Sequence, residues 1–319
     1  MPLTVREQTN KTSSPEFFLM GFSSYQQSQS AFFAVFLLLY LLAVIGNILI
    51  ITIISSDAHL HNPMYFFLIN LAVLDICFTS CISPKILDIL LSETESISYF
   101  GCMTQQFMLS STLGTELILL AVMAFDRYVA ICMPLHYPII MCKKIYISLA
   151  VAVWLVGILN STMLTGIILN LSFSETIILD HFFCEIPALL KASLSDTQLL
   201  KNVTLVEDFF FGIFCFFCII ISYIYIIASI VRIHSAEKKK KAFSTCASHL
   251  LVVTLYYVST IYAYVLPSVA RGSNGDKVAS AFYAIISPVL NPMIYSLRNT
   301  DVKQAFFKIL SRHIFPLIK

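Results

Sequence analysis

Seven stretches of the chain are long, apolar and almost without charge, and short polar segments separate them. They are residues 31–54, 63–84 (interrupted by Asp75), 97–123 (interrupted by Glu116), 145–169, 209–231, 242–266 (with His249) and 278–297. The hydrocarbon core of a bilayer takes about 20 apolar residues of helix, so each stretch predicts one membrane-spanning helix. A different period closes the chain. Val302, Ala305, Phe306, Ile309 and Leu310 fall at i, i+3, i+4, i+7 and i+8, while Lys303, Lys308 and Arg312 occupy other faces. That spacing predicts a short amphipathic helix in the interface, its cations toward anionic lipid headgroups. The expected fold is an all-α membrane protein, a seven-transmembrane helix bundle with a short amphipathic cytoplasmic helix. Its parts are an extracellular tail (1–30), the bundle (31–298) and a cytoplasmic tail (299–319).

Composition agrees. The chain is 58% hydrophobic and 12% charged, with a mean hydropathy of +0.84. A soluble domain carries roughly 25% charge, so a water-soluble globule, and with it a soluble enzyme, is excluded. The positions of the charges orient the bundle. If the N-terminus is outside, 13 of the 20 Lys and Arg face the cytoplasm, as basic loops do. The expected location is the plasma membrane, multi-pass, with an extracellular N-terminus and a cytoplasmic C-terminus. The run Lys238–Lys241 serves either this topology or a direct partner contact. Residues 1–30 lack a short apolar core followed by a small-residue cleavage site, so the first span is expected to act as the targeting signal. Asn10-Lys11-Thr12 is a glycosylation sequon in the outer tail. Asn170 and Asn202 begin weaker candidates, and Asn160 lies inside the fourth span, where chance explains the match. The connection 170–205 is long for a loop and is expected to be a lid.

Polar groups in hydrocarbon are costly and mark function. Asp75 and Glu116 are the acids deep in the spans, with Asn47 and Asn291 at similar depth. They read either as a structural cluster that pins helices or as a site for a cation, sodium or a proton. Asp126-Arg127-Tyr128 ends the third span; its Arg either pairs locally and releases to a partner, or snorkels. Pro292, next to Asn291, removes a backbone hydrogen bond and permits a kink, and Asn291 is expected to satisfy the carbonyl so released. Cys102 and Cys184 both face the oxidising side, where disulfides form. Cys215 and Cys218, inside a helix, read as packing, and His59 and His61 lack further metal ligands. No nucleophile–base pair or phosphate-cradling loop is present, so neither an enzyme nor a nucleic-acid partner is expected, and no cofactor beyond the candidate sodium ion.

Several segments carry a family resemblance. They are Gly46-Asn47, Leu60-His61-Asn62-Pro63-Met64-Tyr65-Phe66, Met123-Ala124-Phe125-Asp126-Arg127-Tyr128, Ser222-Tyr223, Lys241-Ala242-Phe243-Ser244-Thr245-Cys246, Tyr256-Tyr257 and Pro288-Val289-Leu290-Asn291-Pro292-Met293-Ile294-Tyr295. With these the chain resembles the vertebrate olfactory receptors, a branch of the rhodopsin-like G-protein-coupled receptors. The resemblance implies a receptor for small volatile odorants that acts on a heterotrimeric G protein of the stimulatory, olfactory class and raises cyclic AMP. It assigns the coupling switch to Asp126, Arg127, Tyr128, Tyr223, Asn291, Pro292 and Tyr295. It places the ligand in the outer half of the bundle. There helical phase selects Gln106, Leu109, Ser110, Leu113 and Gly114 on span three, with Phe211 on span five and Tyr257, Ile261 and Tyr264 on span six. Glu207 and Asp208, at the outer end of span five, are either solvated loop ends or contacts for a polar ligand. The chain also departs from the family. Phe125 replaces the more usual Tyr, and Lys238 stands where Gly is common. Ser174 and Leu194 replace two further lid cysteines, which implies a single outer disulfide, Cys102–Cys184, and a looser lid. The rival class, a transporter or channel, is disfavoured by the odd span number and the lack of an inverted repeat.

Overall fold

The computed structural model describes residues 16–20, 29–92, 95–174, 176–260, 285–296 and 299–314. Six of its helical stretches are long and apolar enough to cross a bilayer: α1 (Gln29–Ser56), α2 (Pro63–Ser92), α3 (Tyr99–Cys132), α5 (Lys143–Ile168), the stretch Gln198–Val231 and the apolar part of α9 (Ala236–Thr260). The stretch Gln198–Val231 is continuous from α7 (Gln198–Glu207) through a π-helical segment (Asp208–Phe214) into α8 (Cys215–Val231). The described part of the seventh apolar run, 285–296, is helical and is called α10. Short helices α4 (Tyr137–Ile140) and α6 (Ile186–Ala192) lie in loops, and α11 (Thr300–Ile314) follows the last span.

The second and fifth spans run well past the apolar stretches that predict them. The second continues through Pro84 to Ser92, because a helix in a membrane protein tolerates proline where neighbours re-satisfy its backbone. The fifth begins near Gln198 rather than 209, where Asp196 Oδ1 accepts from the Gln198 amide at 2.9 Å. Its polar first turns climb out of the apolar zone, so an apolar scan misses them.

α3 is the axis of the bundle and is buried along most of its length. Packing without a hydrophobic drive between helices depends on small residues and hydrogen bonds, and both are present. A Cβ at Gly157 would lie 2.0 Å from Thr115 Oγ1, so α5 meets α3 at backbone range. Ser161 Oγ donates to Phe107 O at 2.6 Å on the same seam. Trp154 Nε1 donates to Asn70 Oδ1 at 3.0 Å, tying α5 to α2. Gly46 lets α1 approach Pro292 of α10. α1 otherwise exposes Val35, Leu38, Leu42 and Ile45, a lipid-facing row.

One end of the bundle carries a small sheet that the apolar pattern did not predict. Strands β1 (Glu16–Leu19), β2 (Ser96–Ser98) and β3 (Thr176–Leu179) lie in the order β2-β1-β3. β1 runs antiparallel to β2, with Phe17 opposite Ile97, and parallel to β3, with Phe17 opposite Ile177. Phe17 and Leu19 are fully buried, and the Phe17 ring packs on Tyr99 and Phe173. The segment before the first span is thus the central strand of a cover, not only a tail.

At the opposite end, α11 is amphipathic as expected. Val302 and Ala305 are buried while Phe307 is exposed. Asn299 Oδ1 caps it, accepting from the amides of Asp301 (3.0 Å) and Val302 (3.3 Å) and from the Tyr65 hydroxyl (3.1 Å). Lys308 has a partner within the protein: its Nζ donates to Asp57 Oδ2 at 2.9 Å, in the loop between α1 and α2. That ammonium, with the His59 amide, holds the Asp57 carboxyl below its usual range.

Candidate functional site

The functional candidates fall at four levels along α3. At the lid level, Cys102 and Cys184 are bonded, with Cα atoms 5.4 Å apart. Gln105 reinforces that bond. Its Oε1 accepts from the Cys184 amide at 2.8 Å, and its Nε2 donates to Cys81 O at 3.0 Å, so one buried amide joins α2, α3 and the lid. The positions left without cysteines are held by other means. The Leu194 amide donates to Ser172 O at 2.9 Å, and the Ser172 amide donates to Ser195 Oγ at 3.0 Å. Together with β3 in the sheet, these bonds tie the lid to itself and to the outer strands. His181 and Glu185 pair at 3.2 Å within it, the His181 ring edge-on to Phe183.

Below the lid, Gln106, Leu109, Ser110 and Gly114 are buried and Leu113 is half-buried. Gln106 is committed to neighbours: it donates to Ser110 Oγ and accepts from Thr165 Oγ1, both at 2.9 Å. Gly114 differs. It is buried, yet a Cβ built there would meet nothing within 4 Å, so α3 borders open interior space at that turn. Phe211 is buried in the π-helical segment. Tyr257 donates to Gly212 O in the same segment at 3.2 Å and packs on Phe216. Single π-helical turns are frequent at functional sites, and here one carries Phe211 and accepts the hydroxyl of Tyr257. Ile261 and Tyr264 lie outside the described residues, as does Asn10. Glu207 is not a solvated loop end: its Oε1 accepts from Asn160 Nδ2 at 2.6 Å and the side chain is half-buried.

At mid-depth, Asn291 Nδ2 donates to both oxygens of Asp75 at 3.1 Å. The carbonyl released by Pro292 is that of Pro288, four residues earlier. Asn47 Nδ2 donates to it at 3.0 Å, so the partner comes from α1 rather than from Asn291. A narrow cleft lined by Asn47, Asp75, Asn291, Pro292 and Tyr295 follows. Glu116 lies within electrostatic reach of Asp75, and its Oε1 is buried without a hydrogen-bond partner. An orphaned carboxylate oxygen beside a second carboxylate fits a small cation or a proton, although no group of three or more His, Cys, Asp or Glu side chains is found among the described residues.

At the far end of α3, Arg127 is held by its neighbour: Nε donates to Asp126 Oδ2 at 2.9 Å and Nη2 donates to the same oxygen. Tyr137 donates to Asp126 Oδ1 at 2.9 Å. Tyr223 donates to Cys246 O at 3.2 Å and lies 2.7 Å from His249 Nδ1, its ring stacked on the imidazole. Tyr128 packs on Tyr225. Tyr295 is buried, its hydroxyl without a hydrogen-bond partner.

A family model described as "Olfactory receptor" matches residues 36–313. The chain belongs to the olfactory receptor family. It is 45% identical over 314 residues to Olfactory receptor 13A1 of Homo sapiens, covering 98% of this chain and 94% of that one. It is 44% identical over 304 residues to Olfactory receptor 1G1 of Gorilla gorilla gorilla, covering 95% and 97%. In three dimensions it is similar to squid rhodopsin, with a TM-score of 0.72 at 17% identity over 91% of this chain and 81% of that one. That likeness shows the seven-helix fold. The protein is thus a multi-pass membrane receptor of the G-protein-coupled class that receives odorants, and not an enzyme.

Three residues of this olfactory receptor make bonds that the sequence does not single out. Gln105 and Gln106 both face buried ground, and only the lid's position separates their bonds. His249 is a polar residue in a span, and its partner Tyr223 comes from another helix. Asn47 lies at the depth of Asp75, and its bond runs to the backbone of α10.

Proposed function

We propose that this olfactory receptor binds small volatile ligands in the lid half of the bundle, between α3, the π-helical segment and α9. From the Arg127 end it then activates a stimulatory, olfactory-class heterotrimeric G protein and raises cyclic AMP. The observation that carries the placement is Gly114, a buried position of α3 beside open interior space. The candidates Leu109, Ser110 and Leu113 share α3 with it, and Phe211 and Tyr257 belong to and bond with the π-helical segment; together they offer an apolar set with few hydrogen-bonding groups, as small-molecule sites have. Ile261 and Tyr264, four and seven residues after Tyr257 in sequence, complete the candidates. Basic loops orient the Arg127 end to the cytoplasm and the N-terminus, with a glycan on Asn10, to the outside of the plasma membrane. α11 lies against the inner leaflet lipid.

A ligand shifts the receptor only by binding one packing better than the other. In the described packing Arg127 is occupied by Asp126 and Tyr223 by α9. The alternative packing releases Arg127, Tyr223 and Tyr295 to the partner. Asp75 and Glu116 are the residues that would hold a sodium ion or a proton, which supplies charge balance where two carboxylates approach.

Arg127→Ala tests the coupling assignment. It removes a cation from a local pair rather than a core side chain, so surface staining should stay near wild type while the cyclic AMP response is lost. Full signalling at normal surface density would overturn the assignment.

A further inference from the structure

Glu207 and Asn160 form a hydrogen-bonded pair that the proposed function does not use. Their depth follows from the seam between α5 and α3. Gly157 lies against Thr115 and the carbonyl of Ser111, Ser161 bonds to the carbonyl of Phe107, and Thr165 bonds to Gln106. Asn160 precedes Ser161 by one residue, so Asn160 and the carboxylate it meets stand at the level of Phe107 to Ser111. That is the level of Ser110, one turn toward the lid from Gly114 and its open space. Phe211, buried, follows Glu207 by four residues, which puts both on one side of span five.

The partners of Glu207 are unusual for a carboxylate at this depth. Buried or half-buried acids are ordinarily paired with a cation. Glu207 has one hydrogen-bond partner, a neutral amide, and no cation among the described residues bonds to it. Glu207 Oε2 and Asn160 Oδ1 remain as acceptors on the same pair. A primary ammonium group carries three donors and one charge, and it matches two acceptors and one carboxylate. An alkyl chain on that ammonium would run along Leu109, Leu113 and Phe211.

We infer that the Glu207–Asn160 pair is the recognition point for a protonated primary amine, so that volatile aliphatic amines are ligands of this receptor. The assignment rests on the ligand site proposed above and narrows it to a chemical class.

The test uses the full chain in cells with surface staining and a cyclic AMP reporter. The probes are straight-chain primary amines and the primary alcohols of equal length, applied to wild type, Glu207→Gln and Glu207→Asp. Glu207→Gln keeps the shape and the Asn160 contact and removes the charge. Wild type should respond to amines at lower concentration than to matched alcohols. Glu207→Gln should weaken the amine response roughly 10- to 100-fold, the range of a hydrogen bond to a charged group, and leave alcohol responses nearly unchanged. Glu207→Asp keeps the charge and should keep the preference for amines. A wild type that answers alcohols but no amine, or an amine response equal in Glu207→Gln, overturns the amine assignment and leaves the ligand site standing. Should Glu207→Gln fail to reach the surface, loss of amine preference in Glu207→Asp overturns it equally. No response to either class, with basal signalling indifferent to Arg127→Ala, overturns both readings.

Discussion

The two ends of α3 are secured by different kinds of bond. At the lid end the helix is covalently attached to the lid through Cys102–Cys184, and the buried Gln105 clamps the same lid residue to α2. A three-stranded sheet overlies them. At the other end no covalent bond is found among the described residues, and the ties are side-chain hydrogen bonds. Arg127 is held by an adjacent residue, Asp126 by a loop tyrosine, and Tyr223 by the imidazole and a carbonyl of α9. Each of these is worth about 1–3 kcal/mol at most, comparable with the differential affinity of a small ligand. On the function proposed above, the lid end would hold the ligand and the Arg127 end would change packing when that site is filled. A receptor built the other way round, loose at the lid and bonded below, would bind without transmitting.

Cutting the covalent tie should give the largest effect. Cys184→Ser opens a loop with a sequence separation of 82, and loss of such a constraint costs roughly 4–5 kcal/mol on a chain-entropy estimate. Much of a domain's net stability would go with it. Surface expression and ligand response should both fall to background. A Cys184→Ser receptor with normal surface density and potency would show that Gln105 and the sheet suffice, and the contrast between the ends would weaken.

The matching cut at the far end is Tyr223→Phe. It removes one hydroxyl that bonds to Cys246 O and His249 and keeps the stacked ring. The expected loss is about 1 kcal/mol, seen as a small drop in thermal stability in detergent. Surface expression should stay within about twofold of wild type. Because the lost bond ties α8 to α9 in the closed packing, basal signalling should rise. A Tyr223→Phe receptor that fails to reach the surface, as Cys184→Ser should, would contradict the division between a fixed end and a switching end.

The same division describes what could be read from the sequence. The spans were legible because an apolar run of twenty residues has few alternatives in a bilayer, and α11 because its period differs from the rest. Contacts that join distant segments were not. β1, β2 and β3 are each three or four residues long, and their pairing unites residues 16–19, 96–98 and 176–179; no local pattern encodes that. Pro292 announced a released carbonyl, but the donor, Asn47, lies 241 residues away from Pro288. Glu207 could be placed at the end of a span, and only the fold brings Asn160 to it. The family segments nominated the switch residues, whereas the bonds those residues make, to His249, Cys246 and Tyr137, needed coordinates.

The smallest expected effect concerns a third tie, half-exposed: Lys308 with Asp57, which joins α11 to the loop between α1 and α2. Its pH dependence follows from the direction of the Asp57 shift. The carboxyl is held low, first by the hydrogen bond from Lys308 and then by the amide of His59. Its contribution to docking is therefore complete above the unfolded carboxylate value of about 4. It is lost only as pH falls through the lower folded value. A spin label on Phe307→Cys, an exposed position of α11, reports the docking in a reconstituted receptor. The label should be equally ordered from pH 8 to 5 and should loosen only in stronger acid. Asp57→Asn should show the loosened spectrum throughout and no acid transition, with surface expression unchanged, since the Lys308 end of the pair is open to solvent and such pairs contribute little to global stability. A loosening near neutral pH in the wild type, surviving in Asp57→Asn, would assign the docking to another group and remove this tie from the account.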